Sequence, residues 1–118
     1  MTGFVYKVLT MAEDAAFAAG SDRSYGGSPD DLRDGYIHLS NKDQLAGTLA
    51  AHYRAPETVM LLTLAVSALP PDRLRWERSR GGALFPHLYD RLPAAAVARR
   101  DLLCRDPDGT FILPWGML

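Results

Sequence analysis

At 118 residues and 13.0 kDa the chain has room for one domain, residues 1–118, with a core of its own, and none for a two-domain enzyme. A composition of 47% hydrophobic and 23% charged residues excludes extended disorder, and a net charge of −1 excludes a whole-molecule field that would attract phosphate polymers or anionic lipids. Neither non-specific nucleic acid nor a membrane is therefore an expected partner. No apolar run reaches the length of a membrane span, no basic leader opens the N-terminus, and the lone Cys104 has no partner for an internal disulfide, which together predict a cytoplasmic protein.

Residues 4–9, FVYKVL, alternate and are rich in β-formers, so they predict a first strand, interior to a sheet. On that strand Lys7 faces opposite to Tyr6, either toward solvent or, on a concave face, toward a phosphate. Thr10 with Glu13 three residues on, an alanine-rich body and Gly20 predict a short helix with Phe17 turned to the core. The polar stretch 21–34, with Gly26, Gly27 and Pro29, reads as a long surface loop. GYIHLS, residues 35–40, is a strand whose alternation sets Tyr36, His38 and Ser40 on one face and Ile37 and Leu39 on the other.

A second helix follows, capped by Ser40 or Asn41, with Leu45, Leu49, His52 and Tyr53 on one face and His52 at the edge of the core. The uninterrupted apolar run 58–66 is of strand length and predicts a central strand buried on both faces. Residues 67–74 form a turn with two prolines, and RWERS, residues 75–79, a short polar strand. Glycines and prolines make 81–93 irregular, whereas 96–114 read as two strands joined by the Asp106-Pro107-Asp108-Gly109 turn, a C-terminal β-hairpin. Cys104 within it is assigned to packing. The order, with two main helices and more strands than crossovers need, predicts an α+β fold.

The histidines His38, His52 and His87 come with no cysteine pair, His-Glu-x-x-His run or carboxylate cluster, so no metal is expected. Three stretches mix polar catalytic types with aromatics. In the first, His38 and Ser40 either contact a ligand or serve as a satisfied histidine and a helix cap. In the second, Glu77 between Trp76 and Arg78 is either a half-buried carboxylate with a function or a member of a surface salt bridge. In the third, Phe85, His87 and Tyr89 around Pro86 either wall a site for a ring or fill the core. The pair His38 and His87 also suits acid–base chemistry on RNA or nucleotide phosphates.

The succession VYKV, DGYIHLS, QLAGTLAAHY, MLLTLAV, RWERSRGGALFPHLY and DGTFILP resembles the domain-of-unknown-function family numbered 952 from about Val5 to Pro114. The resemblance implies an ADP-ribosyltransferase-like fold, a split mixed sheet whose better-known members bind NAD in a cleft. It implies NAD as a substrate, a small-molecule nucleotide as the ligand, and ADP-ribosyl transfer or NAD hydrolysis as a candidate activity, with no acceptor named. By the same resemblance His38 and Ser40 would hold a ribose hydroxyl and the nicotinamide amide, and Glu77 would stabilise the oxocarbenium-like state as nicotinamide leaves. His87, Phe85, Tyr89 and Tyr36 would complete the cleft, and Lys7 stands where a first-strand histidine is common. A non-catalytic module that binds a small ligand or a protein in the same cleft is the alternative of another class.

Overall fold

The apolar run at 58–66 becomes strand β4 (Thr58–Ala65), the centre of the main sheet in the computed structural model, which describes residues 3–117. It pairs antiparallel with β1 (Phe4–Leu9) on one side and β8 (Val97–Cys104) on the other. Val59 and Leu61 face one layer, where Tyr6, Val8, Leu103 and the helix residues Leu45 and Leu49 are buried with them. Leu62 and Leu64 face the other, with Val5, Leu9, Phe17, Ile37 and Leu88. Both faces are thus covered, which is why β4 has no polar alternation.

The helix from Thr10 forms as predicted: α1 (Met11–Ala19) has a reciprocal Thr10–Glu13 capping box and buries Phe17. The predicted loop 21–34 is instead ordered structure. Ser24–Tyr25 form β2, and Ser28 caps α2 (Pro29–Asp34), with Pro29 at its first position and Asp31 closing a second capping box. Gly35 ends α2 at φ +86°, a left-handed stop. A six-residue helix has no room for apolar periodicity, so its caps are its only sequence signature. The GYIHLS strand is shorter than predicted: β3 is Ile37–His38, and Ser40 makes a single bridge to Tyr6. The later helix is capped by Asn41, not Ser40, and enters through a 3-10 turn (Lys42–Gln44) into α3 (Leu45–His52). His52 on it is exposed rather than packed at the core edge.

β5 (Leu74–Arg78) and β6 (Leu84–Leu88) join β3 in a second antiparallel sheet of order β3-β6-β5, so the segment read as irregular holds a central strand. Gly81 and Gly82, at φ +70° and +81°, make the intervening turn. Pro86 is tolerated in β6 because its missing N–H falls on the β3 side where that pairing ends, and its carbonyl still accepts from the Leu39 N–H at 3.0 Å. β7 (Leu92–Pro93) pairs with β2 as a small ribbon.

The C-terminal hairpin is only half formed. The 106–109 turn is present, with Gly109 donating to the Asp106 carbonyl, but the returning arm makes one isolated bridge, Arg105 to Phe111. The Arg105 guanidinium holds the Gly109 carbonyl of the turn and also reaches the carbonyls of Tyr53, Arg54 and Pro56, and Phe111 packs into the layer under α3. Cys104 is exposed, because its neighbour Leu103 takes the inward position. No helix among the described residues is long and apolar enough to cross a membrane.

The layering predicts opposite outcomes for two leucines on paired strands. Leu61→Ala, at a fully buried position, should cost about 2–5 kcal/mol in urea unfolding. Leu102→Ala, at a position 55% exposed, should stay within about 0.5 kcal/mol.

Candidate functional site

The two sheets touch through β1. Tyr6 and Ser40 exchange both backbone hydrogen bonds, at 2.8 and 2.9 Å, and beyond them no further pairing joins the strands among the described residues. β1 is therefore a sheet edge, not the interior strand its composition predicts. Where the strands separate, a cleft of about 340 Å³ opens between them, bounded also by α2, α3 and β6. Of the candidate site residues, Lys7, His38, Ser40, Phe85 and His87 line it, and so does the third histidine, His52. Tyr36, Glu77 and Tyr89 do not; Tyr36 and Glu77 contact His87, and Tyr89 bonds Glu77.

Lys7 is the largest departure from expectation. It is buried rather than solvent-facing, and its ammonium lies 2.9 Å from an Asp31 oxygen and 3.0 Å from the His38 carbonyl. Asp31, which no sequence argument singled out, is the hub of the site. Its Oδ2 takes Lys7 and the Ser28 N–H; its Oδ1 takes the His38 N–H at 3.0 Å and the His38 Nδ1 at 2.6 Å. Burial alone would push this carboxyl up, but the His38 hydrogen bond, the Lys7 charge and the Ser28 amide outweigh it, and the group is held well below the usual carboxylate range. The Ser28-x-x-Asp31 capping box was the one signal in the sequence that could have found it.

The other His38 nitrogen, Nε2, lies 2.9 Å from Asp34 Oδ2. Both ring nitrogens thus face carboxylates, and neither is left to take a proton from a ligand. Ser40, which is buried, shares a hydrogen bond of 2.9 Å with Thr48 on α3 and so ties the cleft floor to that helix.

His87 is in the opposite situation. Register places it opposite Arg75 on β5, with Glu77 opposite Phe85, so Glu77 and His87 project from the same face of the paired strands. Glu77 Oε1 lies 2.9 Å from His87 Nδ1 and accepts from the Tyr89 hydroxyl at 2.6 Å. Those two bonds, the Tyr89 one foremost, hold the Glu77 carboxyl below its ordinary value, and the same bond raises Tyr89. An ionised Glu77 only accepts, so Nδ1 donates and Nε2 is the nitrogen left to serve the cleft. Tyr36 stacks on His87 with centroids 4.1 Å apart and leans on His38 at 4.6 Å, locking both rings. Burial first, then the nearby carboxylates of Asp34 and Glu77, raises the Tyr36 hydroxyl. No group of three or more His, Cys, Asp or Glu side chains that would hold a metal ion occurs among the described residues.

A family model described as "Protein of unknown function (DUF952)" matches residues 10–100. The crystal structure of protein CC0527 from Caulobacter crescentus is similar, with 42% identity, a TM-score of 0.83, and coverage of 94% of this chain and 95% of that one. The solution NMR structure of the same protein is similar at 42% identity, a TM-score of 0.76, and coverage of 91% of this chain and 90% of that one. No curated protein matches the chain.

The Asp31 hub makes its own prediction. Asp31→Asn leaves the Lys7 ammonium buried without its counter-charge and should cost about 3–5 kcal/mol. Because the native carboxyl ionises below the ordinary value of 3.8, the stability it supplies is complete above that pH and is lost as pH falls through the lower folded value. Urea unfolding of the wild type below pH 4 should therefore show a stability slope that the variant lacks in part; equal slopes would remove Asp31 from that role.

Proposed function

The chain belongs to the DUF952 family, and on that premise we propose that its cleft binds the nicotinamide–ribose end of NAD or a related nucleotide and breaks or transfers at the glycosidic bond, the split sheet being ADP-ribosyltransferase-like. The observation that carries this reading is the meeting of Lys7, His38, Ser40, Phe85 and His87 in one cleft, which Asp30, Arg33 and Asp34 also line as an ion-paired group. A ribosylated pyridinium is flat, cationic and rich in hydroxyls. Phe85 and the His87 ring offer it apolar faces, Ser40 and His87 offer hydrogen bonds, and three aspartates against Lys7 and Arg33 in the lining favour its charge. Lys7 would otherwise suit a phosphate, but Asp31 neutralises it, which supports leaving the diphosphate outside the cleft.

The chemistry follows from the Glu77–His87 pair. The C1′–N bond breaks with its electron pair passing to the ring nitrogen, and neutral nicotinamide leaves. Positive charge grows on the ribose, where nearby carboxylates stabilise it more in the transition state than in the ground state. Water, or the hydroxyl of an acceptor, forms the new C1′–O bond and gives its proton to His87 Nε2. Glu77 acts through His87, holding the ring and stabilising the imidazolium that results. His38, with carboxylates at both nitrogens, shapes the site rather than carrying protons, which weighs against two-histidine phosphate chemistry. A cytoplasmic location, where NAD is at hand, belongs to the same reading.

Calorimetric titration separates the readings. NAD and nicotinamide mononucleotide should bind in the micromolar to low-millimolar range, and Phe85→Ala and His87→Ala should weaken binding about tenfold or more, roughly 1.4 kcal/mol. ATP, which lacks the pyridinium, should bind more weakly. Glu77→Gln should spare affinity and slow nicotinamide release by a factor on the order of 10²–10⁴. No heat with millimolar NAD would sink the proposal, and binding with no nicotinamide released would leave a ligand-binding module.

A further inference from the structure

Strand β5 is an edge of the second sheet, and we infer that it is the site where two copies of this chain join, strand to strand, about Trp76. The direction of its backbone groups can be read from the ladder with β6. Tyr89 N–H donates to the Arg73 carbonyl at 2.8 Å and Ser79 N–H to the Ala83 carbonyl at 2.9 Å, in register with the pairs Arg75–His87 and Glu77–Phe85. Odd-numbered residues of β5 therefore turn their N–H and C=O groups to β6, and Leu74, Trp76 and Arg78 turn theirs outward. The Leu74 N–H is tied back to the Pro70 carbonyl, whereas no described backbone group pairs with Trp76 on the outer side. Trp76 is also 46% exposed, a large apolar side chain on an unpaired edge.

The sequence of the edge selects its partner. Outward residues must meet outward residues, so an antiparallel pairing of two β5 strands has few registers. One centred on Arg75 or on Glu77 sets like charges opposite each other, and one centred on Leu74 brings Arg73 against Arg75. Centred on Trp76, the register sets Arg75 opposite the partner's Glu77, Glu77 opposite the partner's Arg75, and the two Trp76 rings side by side. The interface is then isologous and closes on itself as a two-fold dimer with a six-stranded sheet. Arg75 has no salt bridge within the chain among the described residues; its guanidinium rests 5.5 Å from the Tyr89 ring. Glu77 takes both of its hydrogen bonds on Oε1, so Oε2 is the oxygen available to a second donor, and its side chain is 39% exposed. Each copy thus places a cation beside the carboxylate that holds the other copy's His87.

The test is the mass of the full chain in solution by light scattering and by sedimentation across a dilution series. The wild type should approach twice the 13.0 kDa of one chain as concentration rises. Arg75→Glu, which sets two carboxylates opposite each other, should be monomeric with unchanged circular dichroism, and Arg75→Glu combined with Glu77→Arg should dimerise again. Trp76→Pro is a second, backbone probe: it removes an outward N–H that the β5–β6 ladder does not use, and it should also give a monomer. A wild type that stays monomeric at every concentration overturns the inference, as does a dimer indifferent to Arg75→Glu and Trp76→Pro. Capture of a single-stranded oligonucleotide or an acidic peptide by a monomeric wild type would likewise assign the edge to another partner. None of these readouts involves nucleotide, so failure here leaves the reading of the cleft untouched.

Discussion

The buried ion pair between Lys7 and Asp31 is the constraint on which the site depends. Lys7 extends from β1, and Asp31 from α2; the same carboxylate accepts the His38 N–H on β3, so one side chain fastens three elements. Such a pair is weak evidence for stability, since taking two charges out of water costs nearly as much as their attraction returns. Its effect is geometric. A hydrophobic pair of the same volume would fill the space without fixing the angle between β1 and β3, and it is that angle that keeps the strands apart past Tyr6 and Ser40. The cleft is held open by the one interaction that would be most costly to break halfway.

From this follows the inequality of the two histidines. Asp31 and Asp34 enclose the imidazole of His38, and Tyr36 leans against it, so it is a fixed wall. His87 has one carboxylate, Glu77, on one nitrogen and the cleft on its other side. The rings are 5.7 Å apart, near enough to share Tyr36 as a packing partner yet assigned to different tasks by their neighbours alone. Residue type would have made them equivalent; the distribution of acceptors does not.

What the sequence made legible is what depends on near neighbours. The Thr10–Glu13 cap, the two-sided apolar run of β4 and the polar strand RWERS are each decided within a few residues, and each formed. Pairing of β5 with β6 turned Glu77 and His87 to one face because the turn between them is short and the side-chain period is two. Burial of Lys7 was not legible, because its partner Asp31 lies far along the chain in a stretch whose polarity read as a loop. The C-terminal hairpin stops at one bridge for a similar reason. Its turn chemistry is local and correct, but Arg105 also holds carbonyls just past α3 and Phe111 packs under that helix, distant contacts that near neighbours do not announce.

Charge is distributed along the chain in a way that the small net value conceals. Residues 73–80 carry four arginines and one glutamate, net +3, so the remaining residues sum to −4. Helix α2, with three aspartates and one arginine, borders the cleft, and the base lies along β5. A cleft of about 340 Å³ is at the small end of ligand pockets, enough for a ring and a sugar. On the proposed reading, a preference for a cationic ring over a phosphate rests on three aspartates against Lys7 and Arg33 in the lining, and therefore on the docking of α2 through Asp31. The carboxylate that fastens α2 to β1 and β3 thus also contributes to the charge along the cleft lining.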